Sequence, residues 1–304
     1  MIHIITGQTA TGKTAYALEL ARKLDGELIN ADSRQIYKRL DIITGKDLDL
    51  TDGTFIMHKQ YNGLDIGYYG LKAGSRIWLY DILPPNKPFS AFEFVGLATQ
   101  VIEDIQKRGK TPIIVGGTFF YIQQLLYGTS DFQVEPDQTL RSELNEKTVH
   151  ELQKILREKN PDLFLSLNNS EKHNPQRLIR KIEIETHMKG GSAGNPNEPW
   201  NENDFSLVGF IYENKEDLRV RITERVEKRL QQGAIDEVKT LLDSGFQAQD
   251  PGMRTIGYAQ VIEYLEGSTD KETMKERWIS KEMQYAKRQL TLMKKDQHIR
   301  WEKV

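Results

Sequence analysis

Met1-Ile2-His3-Ile4-Ile5-Thr6-Gly7-Gln8-Thr9-Ala10-Thr11-Gly12-Lys13-Thr14 opens the chain. Met1–Thr6 reads as a short buried strand, with His3 its one charged or titratable side chain. Gly7–Thr14 follows at once and matches the P-loop pattern G-x-x-x-x-G-K-[ST]. Ala15–Leu24 continues as a helix with Ala17, Leu18, Ala21 and Leu24 apolar. Strand, glycine-rich turn and helix N-terminus together make an anion cradle. The glycines let backbone N–H groups curl round a phosphate, the helix dipole favours negative charge, and Lys13 adds a point charge. Thr14 offers a hydroxyl to Mg2+. A P-loop of this kind implies an α/β fold, a parallel sheet flanked by helices with its ligands at the carboxyl edge.

The composition fits that reading. A chain of 304 residues with 28% charged and 38% apolar side chains buries a sizeable core. No apolar run approaches membrane-spanning length, and the P-loop starts so near Met1 that no room is left for a targeting segment. A cytoplasmic protein with no membrane partner is expected. The chain has no cysteine, which excludes disulfides, thiolate zinc sites and cysteine nucleophiles. Net charge is −2, yet Lys271–Val304 holds ten Lys or Arg against five Asp or Glu. That basic stretch suits a polyanion or a solvated helix face.

Working outward, Gly26 closes the first helix and Glu27–Asn30 forms a second strand. Asp32 lies just past its end, on the P-loop edge of the sheet, where a carboxylate suits a general base. It equally suits the N-cap of a helix over Ser33–Arg39, and both readings stay open. Thr51–Gly74 reads as a β-hairpin arm turning at Asn62-Gly63. Its Tyr61, Tyr68 and Tyr69 suit packing within the arm better than stacking on bases. Ile77–Leu83 reads as an apolar strand whose Asp81 superficially resembles a magnesium-side carboxylate. Ser90-Ala91-Phe92-Glu93 is a capping box opening a helix that Gly109 ends. Thr111–Val115 is a third core strand, and Gly116-Gly117-Thr118 follows it, placing a hydroxyl and close backbone at the ligand edge or capping the next helix.

Residues 131–204 read as a mostly helical insertion with a Gly-, Asn- and Pro-rich linker at Gly190–Asp204. The catalytic core then comprises 1–130 and 205–304, resuming with a strand at Phe205–Tyr212 and continuing mostly as helix. Arg219, Arg221, Arg225 and Arg229 form a row there, usually a solvated, ion-paired pattern. GTPase base-reading motifs and a motor-type Asp-Glu strand are missing; group transfer and small-molecule phosphorylation both fit what remains.

Several blocks together decide between these. The P-loop, Asp32–Tyr37 with Leu40-Asp41-Ile42, Val115–Thr118 with Tyr121 and Gly128, Pro175–Arg180, Arg221–Arg225, Gly257-Tyr258, Leu265–Gly267 and Ala286–Thr291 occur in one order across nearly the whole chain. In this it resembles the tRNA dimethylallyltransferase family. The resemblance implies transfer of the dimethylallyl group from dimethylallyl diphosphate to the exocyclic amine of the adenosine 3′ to the anticodon. It implies Asp32 as base, with Thr118, Arg225 and Lys13 also catalytic. Gly7, Gln8, Thr9, Ala10, Thr11, Gly12, Lys13 and Thr14 hold diphosphate rather than ATP, with Mg2+ on Thr14. It implies a tRNA anticodon stem-loop as partner, met by Asp32, Ser33, Arg34, Gln35, Thr118, Arg141, Gln176, Arg177, Leu178, Ile179, Arg180 and Met253, Arg254, Thr255, Ile256, Gly257, Tyr258. A monomer suits so large a partner. Three features depart from the family pattern: Gln8 stands where proline is usual, the hairpin arm is an addition, and Ile77–Asp81 replaces a His-rich run.

Overall fold

The computed structural model describes residues 1–61, 63–72, 74–128, 134–187, 200–201 and 203–304. Two compact units emerge, one of residues 1–123 with 201–304 and one of 124–200.

The first unit is built on one eight-stranded sheet. Its strands are β1 (Ile2–Gly7), β2 (Gly26–Asn30), β3 (Thr51–Tyr61), β4 (Leu64–Leu71), β5 (Arg76–Trp78), β6 (Thr111–Val115), β7 (Phe205–Ile211) and β8 (Arg300–Lys303). They lie in the order β3-β4-β5-β2-β6-β1-β7-β8. From β5 to β8 every pairing is parallel; β3 and β4 add antiparallel. Parallel strands buried on both faces need apolar side chains on both. Ile5, Leu28, Ile77, Ile113 and Val115 share one cluster with Ala17 and Ala21 of α1 (Lys13–Leu24). The alternate residues Ile4, Ile29, Trp78 and Ile114 are also fully buried. Ser90 caps α2 (Ala91–Lys107) through a complete capping box, and Phe94, Leu97, Ala98, Val101, Ile102 and Ile105 form its buried face. The remaining helices are α3 (Phe119–Tyr127); α4 (Gln138–Asn145), α5 (Val149–Lys159), α6 (Pro161–Ser166), α7 (Asn169–Lys172) and α8 (Pro175–His187); then α9 (Lys215–Gln231), α10 (Ala234–Asp243), α11 (Tyr258–Leu265) and α12 (Lys271–Met293). No described helix is long and apolar enough to cross a membrane.

The second unit is helical, closed around Leu144, Leu152, Leu156, Phe164, Leu178 and Ile182. Most of the linker at Gly190–Asp204, and Asn62 of the hairpin turn, lie outside the described residues.

Four local expectations change. Asp25, at φ 46°, is the left-handed cap of α1, and Gly26 belongs to β2, where a Cβ would meet Ile113 Cδ1 at 2.6 Å. Ser33–Arg39 is a run of turns, not a helix, because Asp32 Oδ1 accepts from Arg34 N at 2.9 Å and closes an Asx turn. The strand at Ile77 stops at Trp78. Leu79 and Asp81 take φ 66° and 55°, and Asn30 Nδ2 captures the Leu79 carbonyl at 3.2 Å. The hairpin is not a free arm: β4 pairs with β5 and so extends the sheet. Tyr69 is buried and bonded to Asp81, Tyr68 lies 4.7 Å from Trp78 ring to ring, and Tyr61 packs at Gly96. All three tyrosines are used in packing.

Candidate active site

The P-loop is tied to β7 before any ligand arrives. Gly7 has φ 138°, and a Cβ there would sit 2.3 Å from the Phe210 carbonyl, so only glycine fits. Gln8 N donates to that carbonyl at 3.0 Å, and Gln8 Oε1 accepts from Tyr212 N at 2.9 Å. The side chain that replaces a proline therefore anchors the loop. Gln8 O accepts from Thr11 Oγ1 at 2.8 Å and from Lys13 Nζ at 2.5 Å. Burial, and next the Arg225 guanidinium, lower the Lys13 pKa to about 7. The Lys13 Nζ is held ready at a carbonyl that a phosphate oxygen can replace.

Around this loop lies a cleft of about 900 Å³, lined by Gly7, Thr9–Thr14, Asp32, Arg34, Gln35, Asp41, Ile42, Thr44–Leu50, Gly116, Gly117, Arg225, Arg229, Glu282 and Tyr285 among others. Asp32 Oδ1 is taken by the Asx turn, and Oδ2 lies 3.5 Å from where a Cβ on Gly117 would be. Gly116 is forced for another reason: its Cβ would fall 2.3 Å from the Ala31 carbonyl, so β6 and the end of β2 pack backbone to backbone. Thr118 does not cap α3. Its hydroxyl accepts from Ser33 N at 2.9 Å, donates to Ser33 Oγ at 3.1 Å, and bonds with the Tyr285 hydroxyl. Burial and Asp32 push Tyr285 above the usual phenol range, keeping it neutral.

Arg225 Nη1 donates to Thr9 Oγ1 at 2.7 Å and so reaches the cradle. Arg219 and Arg221 are exposed and paired with Glu276 and Glu224. Arg229, which the row assigns to solvent, is 5% exposed and turned to the cleft. Its spacing of four from Arg225 held the signal, since both fall on one helix face. Glu282, also missed, is 4% exposed and accepts from Arg34 Nη1 at 3.2 Å. Burial works to raise its pKa, and Arg34, Arg229 and Arg225 override it, holding it below the usual carboxylate range.

Residues 41–47 form the opposite wall, fixed from three sides. Glu237 accepts from the backbone N–H of Asp41, Ile42 and Ile43 at 2.8, 2.7 and 3.2 Å, and from the Tyr258 hydroxyl at 2.5 Å. Gln35 Nε2 donates to Gly45 O at 2.8 Å. Lys46 is wholly buried, donating to Asp81 at 2.5 Å, Asp41 at 2.7 Å and Tyr37 O at 2.7 Å. Asp81 is thus occupied by Lys46 and Tyr69 and is no magnesium ligand in this arrangement. The residue that meets Thr14 is Asp47, hydrogen-bonded to its hydroxyl. Two hard oxygen donors suit Mg2+, which takes few protein ligands when a diphosphate supplies the rest. Among the described residues no group of three or more His, Cys, Asp or Glu could hold a metal.

The residues assigned to RNA by resemblance fall in three places. Asp32, Arg34 and Gln35 line the cleft, while Ser33 and Thr118 hold one another beside it. Met253, Gly257 and Tyr258 are buried, whereas Arg254 is exposed and Thr255 and Ile256 half-buried. In the helical unit Gln176 and Arg177 are exposed and Leu178 and Ile179 are core. Arg141 grips Glu183 with two bonds of 2.8 Å, and Arg180 bonds the same carboxylate.

A parallel sheet with a phosphate loop at its carboxyl edge defines a P-loop protein of nucleoside-triphosphatase-like fold. The family model for IPP transferase matches residues 35–296, and the chain belongs to that family. It is 36% identical over 287 residues to tRNA dimethylallyltransferase 1 of Parabacteroides distasonis, covering 94% of this chain and 86% of that one. It is 34% identical to the tRNA dimethylallyltransferase of Endomicrobium trichonymphae over 303 residues, covering 96% and 91%. The solved tRNA isopentenylpyrophosphate transferase of Bacillus halodurans superposes with a TM-score of 0.66 at 29% identity, over 99% of this chain and 89% of that one.

Proposed function

We propose that this protein transfers the dimethylallyl group of dimethylallyl diphosphate to the exocyclic N6 of the adenosine 3′ to the tRNA anticodon, position 37, releasing diphosphate. The observation that carries it is the convergence of a carboxylate, a phosphate cradle and an arginine on one cleft: Asp32, Gly7–Thr14 and Arg225. The N6 lone pair forms a bond to the allylic carbon as the carbon–oxygen bond breaks, and that electron pair leaves on the diphosphate. An adenine amine is a weak nucleophile, so Asp32 takes its proton as the bond forms. Backbone N–H groups of the loop, Lys13 and Arg225 meet the charge gathering on the leaving group. Thr14, with Asp47 beside it, would hold Mg2+ on the diphosphate, adding a further positive charge. Thr118, fixed by Ser33 and Tyr285 beside the cleft, would orient the flipped base.

The exposed Gln176, Arg177 and Arg254 and the basic stretch from Lys271 supply groups for the RNA backbone. The proposal extends to a monomer working in the cytoplasm, and a dimer mass at working concentration by sedimentation would count against the first. Labelled dimethylallyl diphosphate is incubated with an anticodon stem-loop or with AMP. Label in the stem-loop is expected; label confined to AMP, or ATP turnover without prenyl transfer, overturns the reading.

A further inference from the structure

Six cations line the cleft: Lys13, Arg34, Lys46, Arg225, Lys228 and Arg229. Lys228 is exposed, and four of the other five have a use already, Lys46 being held by Asp41 and Asp81. Lys13 sits in the P-loop, Arg225 reaches Thr9, and Arg34 lies against Glu282 with its guanidinium 4.0 Å over the Tyr285 ring. Arg229 has none. Among the described residues the carboxylate within ion-pair reach of it is Glu282, at a loose 3.8 Å, and Arg34 holds that same carboxylate more closely.

What Arg229 faces instead is Arg225. A Cβ placed on Gly45 would lie 2.5 Å from Arg229 Nη2 and 2.8 Å from Arg225 Nη2. Two guanidinium tips therefore converge on one backbone residue in the wall opposite the P-loop. Gly45 itself has φ 66°, and any side chain there would displace both arginines. Burial, and then Arg225, press the Arg229 pKa down to about 9. Burying like charges this near is costly unless an anion comes between them. Asp47 and Glu282 offset the pair only in part, and the polar remainder of the wall is backbone held by Gln35 and Glu237.

We propose that Arg229 is a second diphosphate-binding arginine, forming with Arg225 a clamp on the leaving group, and that Glu282 is its counter-ion while the cleft holds no donor. The clamp rests on the reading of the cleft as a diphosphate site. Its donors face non-bridging oxygens, so the transfer step keeps its balance: the electron pair of the broken bond stays on diphosphate, and the clamp meets the added charge. Glu282 competes with that anion for Arg229 and is a positioning residue.

Inorganic diphosphate is titrated calorimetrically into the full chain and into Arg229→Met, Arg229→Lys and Glu282→Gln. Arg229→Met is expected to weaken binding about ten- to hundredfold, to raise the donor KM in parallel, and to leave the stem-loop KM unchanged. Lysine should restore part of the affinity. Glu282→Gln should tighten diphosphate binding several-fold, because the competing carboxylate is gone. Unchanged diphosphate affinity in Arg229→Met overturns the clamp. Should that variant not fold, equal or weaker affinity in Glu282→Gln overturns it. A wild-type chain that binds diphosphate through Arg229 yet prenylates no stem-loop keeps the clamp and removes the reaction.

Discussion

Asp32 commits one oxygen to structure. Oδ1 closes an Asx turn at Arg34 where the sequence suggests a helix cap, and Oδ2, beside Gly117, is the oxygen the proposed base would use. Asp32→Asn keeps an acceptor for the turn and removes the base. Single-turnover transfer should fall about 10²- to 10⁴-fold with stem-loop affinity within about threefold, and a rate near wild type would refute the role. Lys13 makes a second prediction. With its pKa near 7, it is largely neutral at pH 8, and a bound diphosphate raises that pKa. Binding at pH 8 should therefore take up protons, read from calorimetric enthalpies in buffers of different ionisation heat. Lys13→Met should lose most of that uptake. Arg229 shows where residue reading stops. The sequence places it on the face of Arg225, but which face is buried depends on Glu282, more than fifty residues further along.

Among the elements, those with a strong local sequence signal were legible: the P-loop turn, the capping box of α2, the strands β2, β6 and β7. Those that differ are set by distant partners. No pattern within Ile77–Leu83 announces that Asn30 will take the Leu79 carbonyl or that Lys46 will draw Asp81 inward. Gly257 is another such case. At φ 98° its Cβ would meet Ile43 Cγ2 at 2.3 Å and Trp278 Cζ2 at 2.7 Å. Gly257→Ala should destabilise the first unit by about 2–4 kcal/mol in a denaturant midpoint measurement, shifting the Tyr258–Glu237 grip on residues 41–43. In the helical unit, burial works to raise the Glu183 pKa, but Arg141, Arg180 and the Asp137 N–H hold it below the ordinary glutamate value. Stability from that cluster is complete above about pH 4.5 and is lost as pH falls through the lower folded pKa. Thermal melts should show this acid limb, and Glu183→Gln should flatten it.

At the scale of the molecule, every residue lining the cleft lies in the first unit. Replacing residues 124–200 by a short linker should leave diphosphate affinity within about threefold and abolish prenylation of the stem-loop. Loss of diphosphate binding in that variant would show the cleft needs the insertion. The hairpin, too, is integral to the unit. β4 carries Tyr69, whose bond to Asp81 continues through Lys46 to the wall beside Gly45.

The sheet order sets a timetable for the nascent chain. β1, synthesised ahead of the other seven strands of the sheet, lies between β6 and β7, and Gly7 pairs with Phe210, about 200 residues later. At roughly 5–20 residues per second, the apolar Ile2, Ile4 and Ile5 wait about 10–40 s for that neighbour. The loop beside them waits equally long for the Tyr212 N–H that donates to Gln8 Oε1. The P-loop can gain its partners at Phe210 and Tyr212 only after β7 has been made, and chaperone demand should peak before β7 leaves the ribosome.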